Sequence, residues 1–420
     1  MIILSKIYYI LNNKFIFMEI AIDSNKDRFL NDFVKNILEN DRKTFFNDFN
    51  LSQSENLLKN DLSIELNDLE YLNPLNFKNI NEIRNNSNKT HRPIIADFTE
   101  YNPLHNGHYH CMQAAKKKVP NGIFVAIVPG LFERSGRGVP FILHRNIRAK
   151  IAISLGADIV VEGPPMGIMG SGQYSLCLCK MFKTLKTDFI PRGYRPFDGY
   201  DEILGRIAMG HGVAPKPYKL VDMDTKEVVY RGKLEEDNYV IASFSKVLKK
   251  IGFDFKNKFI FVKRIEGVSG TLIRRAVETD DFDGVKSMLP QETIAILKEE
   301  INNNRAPLHN IRNSDVILKN VNTLDFNELR NLNLFNDTLT QNIIDFRKNK
   351  EFKSIDEILN IIPYGFSTHY KSRILSILEA NINKEIIHKY INEYPFIIRI
   401  LDYKNNNVLK EFKDYLGINY

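Results

Sequence analysis

From residue 91 to residue 200 the chain repeats one pattern: a short apolar run that stops at Pro or Gly, then a segment of helical spacing. Pro93–Phe98 holds Ile94, Ile95 and Ala96, and Ile123–Val128 stops at Pro129-Gly130. Asp158–Val161 stops at Glu162-Gly163-Pro164-Pro165, and Asp188–Ile190 opens another strand before Pro191-Arg192-Gly193. Ile142–Leu155 and Ser175–Leu185 read as helices between them. Apolar strands separated by helices predict a parallel sheet covered on both faces. Such sheets bind ligands beyond the carboxyl ends of their strands. Gly130, Glu162 and Gly193 fall at those ends, and so does the turn after the first strand.

That turn reads Thr99-Glu100-Tyr101-Asn102-Pro103-Leu104-His105-Asn106-Gly107-His108. It joins a strand to a helix, whose first turn offers unpaired N–H groups and the positive end of a dipole to an anion. Gly107 lets a phosphate come close to the backbone. His105 and His108 can donate to charge that builds on an α-phosphate during transfer. The plainer reading is a pair of capping histidines. The preceding strand, the Asn-Pro break and the central glycine favour the phosphate site. The helix dipole predicts that both imidazoles stay uncharged until a triphosphate binds.

A second segment, Glu266-Gly267-Val268-Ser269-Gly270-Thr271-Leu272-Ile273-Arg274-Arg275, puts two hydroxyls and an arginine at another helix start. Ser269 or Thr271 can cap a helix beginning near Leu272. Alone this is an ordinary cap. Paired with the histidine turn, it offers Arg274 to the β- and γ-phosphates and to a departing pyrophosphate. A third, Gly130-Leu131-Phe132-Glu133-Arg134-Ser135-Gly136-Arg137-Gly138, with Arg145, Arg148 and Lys150 after it, reads equally as a holder of the second substrate or of a nucleic-acid backbone, or as a mobile surface loop. Gly163, Gly167, Gly170 and Gly172 match neither a Walker loop nor G-x-G-x-x-G.

Charge supports a phosphate ligand. The net charge is +7, from 58 basic and 51 acidic residues, and residues 91–300 carry 31 and 24 of them. A solvated basic face is the alternative. Cys111, Cys177 and Cys179 are too few for a disulfide framework, and Cys177-x-Cys179 is not a structural zinc site. No apolar run is long enough to span a bilayer, and no signal peptide is read, so a cytoplasmic protein without membrane partners is expected, with Met18 a possible start.

Three regions are expected. Residues 1–90 form a helical extension and linker: Phe29, Leu30, Phe33, Val34, Ile37 and Leu38 recur at helical spacing, and Asn85-Asn86-Ser87-Asn88-Lys89 is the linker. Residues 91–300 form the α/β domain. Residues 301–420 are helical, with Phe352–Pro363 one helix entered through Ser354 and closed by Glu357 as a capping box.

The combination resembles the HIGH superfamily of Rossmann-like nucleotidyltransferases and, within it, the bacterial tRNA(Met) cytidine acetate ligases. Glu100–His108 is similar to that family's opening turn, Gly130–Gly136 to its glycine–phenylalanine–arginine loop, and Ser269-Gly270-Thr271-Leu272-Ile273-Arg274 to its Ser-x-Thr-x-Ile-Arg. Arg148–Ala152 and Gly156–Glu162 resemble the segment between them. The resemblance spans about residues 93–276, with Leu104 in place of the family's Phe. It implies that the opening turn wraps ATP and that Gly193 and Arg264 also contact it. The implied reaction activates acetate as acetyl-adenylate, for N4-acetylation of a tRNA cytidine, with Mg2+ on the triphosphate. Val321 to Ile374 resembles tandem helix-hairpin-helix modules, whose hairpins here are Leu332-Asn333-Leu334-Phe335 and the turn around Gly365, Ser367 and Thr368. An RNA-contacting and a purely structural role for them are both open. Two other readings stand beside the ligase: an adenylyltransferase acting on a small phosphorylated metabolite, and a non-enzymatic nucleic-acid-binding adaptor.

Overall fold

A computed structural model describes residues 4–11, 14–21, 32, 34–46, 91–279, 281–308, 311–363, 367–393 and 398–416. Near the start lies an antiparallel hairpin, β1 (Leu4–Leu11) with β2 (Lys14–Ala21), where a helical extension was expected. A helix, α1, follows over residues 34–46. Val34, Ile37 and Leu38 of the expected helical stripe are buried, whereas Phe29, Leu30, Phe33 and the Asn-rich linker lie outside the described residues.

The core is a sheet of β3 (Ile94–Phe98), β4 (Ile123–Pro129), β5 (Ile159–Gly163), β6 (Ile190–Tyr194) and β10 (Phe259–Lys263). β5, β4 and β3 pair in parallel, as do β6 and β10, and a parallel bridge from Ile95 to Phe189 joins the two sets. The order β5-β4-β3-β6-β10 reverses direction between β3 and β6, which is where such sheets open a crevice. Both faces are apolar, as the unbroken strands predict. Ile123, Val125 and Ile127 enter one buried cluster, and Phe124, Ala126 and Val128 enter another on the opposite side.

Helices α2 (Asn106–Lys118), α3 (Arg145–Ser154) and α4 (Ser171–Thr184) cover the sheet. The observed α3 starts three residues later than expected, at the His144 cap, and α4 four residues earlier, at Gly170. After β6 the chain forms α5 (Tyr200–Ala208) and a small antiparallel sheet of β7 (Val213–Lys216), β8 (Lys219–Asp222) and β9 (Val228–Arg231). α6 (Glu236–Lys250), α7 (Gly270–Glu278) and α8 (Gln291–Asn302) follow.

The C-terminal region carries the expected helices, from α9 (Ser314–Thr323) and α10 (Phe326–Asn331) through α11 (Asp337–Arg347), α12 (Ile355–Ile361) and α13 (Thr368–Ala380) to α14 (Lys384–Glu393). It differs from a free-standing helical domain in two ways. Its strand β11 (Ile400–Tyr403) adds antiparallel to β5 as the edge of the core sheet, before a last helix, α15 (Asn406–Leu416). Its buried side chains share one hydrophobic cluster with the α/β region. An apolar sheet face this wide needs cover, and the helices of residues 314–393 provide part of it. The predicted 352–363 helix is shorter, and its box is offset: Ser354 Oγ accepts the Glu357 N–H at 3.3 Å, while Glu357 accepts from the Lys353 N–H at 2.7 Å.

Candidate active site at the opening turn

Both histidines sit at the carboxyl end of β3, at the start of α2. His105 Nδ1 accepts from the N–H groups of Gly107 (3.1 Å) and His108 (3.4 Å), and His108 Nδ1 accepts from the His105 N–H (3.4 Å). The two rings stack at 3.8 Å with 12° between planes. This reciprocal cap explains the three-residue spacing. It also fixes the tautomer: each Nδ1 is an acceptor, so each neutral ring carries its proton on Nε2. Capping and a phosphate-facing N–H are therefore compatible in the same side chain.

Burial lowers the His105 pKa to about 4, with Arg264 and Arg274 adding to the effect, and pushes His108 well below its ordinary value with help from His105 itself. Desolvation of the imidazolium, more than the helix dipole, keeps the free rings neutral. Gly107 lies tight under this stack: a Cβ there would stand 3.0 Å from His105 Cε1, so the ring would have to yield to accept one.

The second segment comes to the same place. Ser269 caps α7 by accepting the Leu272 N–H at 3.4 Å. Thr271 Oγ1 accepts from Arg274 Nη2 at 3.0 Å, and Arg274 Nη1 donates to the carbonyl of Asn102 at 3.4 Å. A Cβ on Gly270 would stand 3.7 Å from His105 Nε2. Two helix N-termini, an arginine and two imidazole N–H groups thus border one space.

The rest of the turn builds the frame. Thr99 is buried and its N–H continues the sheet to the Ile127 carbonyl. Glu100 accepts the Gly136 N–H at 2.8 Å, and burial raises its pKa. Tyr101, at φ 45°, is fully buried, packs edge-on to His108 and has no hydrogen-bond partner for its hydroxyl among the described residues. Asn102 Oδ1 accepts the Ile142 N–H at 2.8 Å, and its peptide to Pro103 is cis. Asn106 donates to the Ser287 carbonyl at 2.8 Å. Gly193 lies on β6 with the stem of Arg264 3.6 Å from where its Cβ would be, and Arg264 pairs with Asp237.

The sequence reading missed Asp237 and Glu236 at the start of α6, which pair with Arg264 and Arg137 and so line the same opening. Their only local signal is an acidic first helical turn. It also missed Asp97 and Arg192, paired at 3.4 Å, with burial raising Asp97 to about 7.

The basic loop after β4 is neither mobile surface nor free for a ligand over most of its length. Leu131 to Ser135 are buried. Arg134 pairs with Glu379 at 2.7 Å, Arg145 with Asp41 and Glu133, and Arg148 with Glu133 at 3.1 Å. Among its cations Lys150 is exposed, and Arg137 is half-buried and paired with Glu236. The first expected hairpin of the C-terminal region is similarly consumed: Asn333 donates to the Ile168 carbonyl at 2.6 Å, and Leu332 and Phe335 are buried. Gly365 of the second lies outside the described residues.

A clustered His211, Asp222 and Asp224 lies on the β7–β9 sheet, remote in sequence from the turn, and its carboxylates already pair with Arg206 and Lys249. No helix among the described residues is long and apolar enough to cross a membrane.

A family model described as HIGH Nucleotidyl Transferase matches residues 94–174, and one described as Cytidyltransferase-related C-terminal region matches residues 195–402. The second match crosses residue 300, in keeping with the shared core. The chain is 47% identical over 332 residues to "Uncharacterized protein MJ0951" of Methanocaldococcus jannaschii, covering 78% of this chain and 89% of that one. It is 24% identical over 343 residues to the tRNA(Met) cytidine acetate ligase of Thermotoga maritima, covering 72% and 80%. The crystal structure of Thermotoga maritima TmcAL bound with alpha-thio ATP has the same fold, with a TM-score of 0.62 at 19% identity over 77% of this chain and 84% of that one. With the His-Asn-Gly-His turn at the switch point of a parallel sheet, the chain is an enzyme of the HIGH nucleotidyltransferase family.

Proposed function

We propose that this protein activates acetate with ATP and passes the acetyl group to the exocyclic nitrogen of a tRNA cytidine. The observation that carries the reading is the convergence of His105, His108, Arg274 and the Ser269-capped helix on one space. A relative that bears the acetate ligase name over 80% of its own length supports the choice of substrates.

A carboxylate oxygen of acetate attacks the α-phosphorus, the bond to the β-phosphate oxygen breaks, and pyrophosphate leaves. The cytidine N4 then attacks the acetyl carbon; AMP departs and N4 gives up a proton. His105 and His108 donate through Nε2 to the α-phosphate oxygens as charge grows there. Arg274, held by Asn102 and Thr271, binds the distal phosphates and the departing pyrophosphate. Ser269, Thr271, Gly107, Asn106 and the turn Thr99–Pro103 shape the nucleotide seat, with Gly193 and Arg264 on its far side. Catalysis here is positioning and electrostatics.

Mg2+ fits this site as a companion of the triphosphate. It would be held chiefly by the phosphates and its own waters, and Asp237 and Glu236, which here pair with Arg264 and Arg137, would be the carboxylates to receive it. When bound, it screens the phosphate charge.

ATP–pyrophosphate exchange tests the reading, run with a panel of carboxylic acids, with and without bulk tRNA. Acetate-dependent exchange is expected. Exchange supported only by a phosphorylated metabolite, or no ATP binding at all, overturns it.

A further inference from the structure

The small antiparallel sheet has no part in the nucleotide site, yet its outer face is unusual. Lys216 of β7 pairs in register with Lys219 of β8, and Lys219 pairs with Arg231 of β9. Register partners in antiparallel strands point to the same face, so three cations stand side by side across the sheet. All three are exposed. Like charges directly opposite one another destabilise a sheet. The neighbouring row, Leu220 with Tyr230, faces the other way, into the protein: Leu220 is buried and Tyr230 packs on Phe197.

α6 extends this row. It packs along β7, where Ser245 Oγ accepts the Val213 N–H at 3.0 Å. Lys246 on α6 is close enough to Lys216 and Lys250 for both to lower its pKa, after burial. Lys249, by contrast, is neutralised by Asp224 at 2.6 Å. Lys216, Lys219, Arg231, Lys246 and Lys250 have no ion-pair partner among the described residues.

At the tip of the β7–β8 hairpin sits Tyr218, 79% exposed and at φ 55°. The second position of this two-residue turn is one that glycine fills without strain. An aromatic ring held there, in solvent between two lysines, is not explained by packing.

We propose that the outer face of the β7–β8–β9 sheet, with the adjoining end of α6, docks the phosphate backbone of RNA, and that Tyr218 stacks on an unpaired base. Regular spacing of cations suits a run of phosphates, and an exposed aromatic suits a single-stranded or loop segment. The choice of RNA among polyanions rests on the acetyl acceptor proposed above; the charge row does not. α6 links the two sites: Asp237 at its start faces Arg264, and Lys246 lies nine residues on, about 14 Å along the helix. An RNA gripped at this face therefore presents a nearby nucleotide to the histidine turn.

The test is filter binding of unfractionated tRNA to the full chain across a salt series. The triple variant Lys216→Gln/Lys219→Gln/Arg231→Gln is expected to bind at least about tenfold more weakly, and its slope of log affinity against log salt is expected to fall by about 2. Tyr218→Gly, which relaxes the turn, is expected to lose about tenfold in affinity while Tyr218→Phe retains it. On the same proteins the melting temperature should hold or rise, since facing like charges and a strained turn position are removed, and ATP–pyrophosphate exchange should not change. Unchanged tRNA affinity and slope in the triple variant overturn the proposal. So does wild-type protein that ignores tRNA but binds phosphatidylglycerol vesicles through these residues. If acetate supports no exchange while the triple variant still loses tRNA, the surface stands and the acetate reading falls.

Discussion

Arg274 donates from Nη1 to the backbone carbonyl of Asn102, 172 residues away in sequence, at 3.4 Å. The bond ties the N-terminal half of α7 to the loop that precedes the histidines. It holds the guanidinium beside the histidine turn, so on the function proposed above part of the ordering cost of binding is already met.

That placement predicts the effect of removing it. His108→Ala and Arg274→Ala are each expected to lower turnover at least about tenfold, the scale of one lost transition-state contact. Circular dichroism and thermal melts should show an intact fold. Near-wild-type exchange in either variant would remove that residue from the mechanism.

On the function proposed above, the neutral histidines make nucleotide binding proton-linked. His105 has its pKa lowered to about 4 in the free protein by burial. An anionic triphosphate raises that value, so binding takes up protons and strengthens as pH falls below the bound-state pKa. Calorimetry in two buffers of different ionisation enthalpy should show the uptake in the range just above pH 4, and His105→Gln should abolish its share.

The same shift sets a stability trend. An unfolded histidine titrates near 6.5. His105 therefore supports the fold fully above that pH, and its support is lost as pH falls from 6.5 to about 4. The difference is on the order of 3 kcal/mol. Urea unfolding at pH 7 and pH 4, compared between wild type and His105→Gln, measures it.

Glu379 on α13 is the clamp between the C-terminal region and the loop after β4. Its carboxylate accepts from Arg134 Nε at 3.0 Å and Nη2 at 2.7 Å, and from the Asn313 N–H at 2.6 Å. Arg134 is 1% exposed. Glu379→Ala leaves that guanidinium buried without its partner, so a loss of about 3–5 kcal/mol is expected in urea unfolding. A change under 1 kcal/mol would mean that the two regions are not coupled through this pair.

Truncation separates a shared core from an appended domain. Ending the chain after residue 397 removes β11 from β5 and Arg399 from Glu162, a pair at 2.9 Å. Deletion after residue 304 also removes Glu379. Both shortened chains are expected to lose ATP binding together with RNA binding. A fragment ending at residue 304 that still binds ATP and melts cooperatively would show that residues 91–300 fold by themselves.

The core strands and the two helix starts were legible in the sequence because their signals are local. A short apolar run bounded by Pro or Gly and rich in Ile and Val reads as a doubly covered strand, and Ser269 is recognisable as a cap from its neighbours. The β7–β9 sheet was not read, since four-residue strands in a mixed polar setting leave only a weak period, and the hairpin at residues 4–21 was subsumed in the helical extension expected over residues 1–90. The basic loop read equally as ligand holder or as surface because arginine looks the same in both. Its partners Asp41 and Glu379 lie 93 residues before and 245 residues after Arg134.

By itself the sequence determined that a parallel sheet would end in a histidine turn and that a second helix would open with hydroxyls and an arginine. Hydrophobic periodicity and capping act over a few residues and need no distant partner. Only the tertiary structure decided that the two helix starts share one space, that burial keeps the imidazoles neutral with Nε2 protonated, and that the C-terminal region completes the core sheet. Those outcomes depend on which buried surfaces and charges meet across hundreds of residues, and packing alone brings them together.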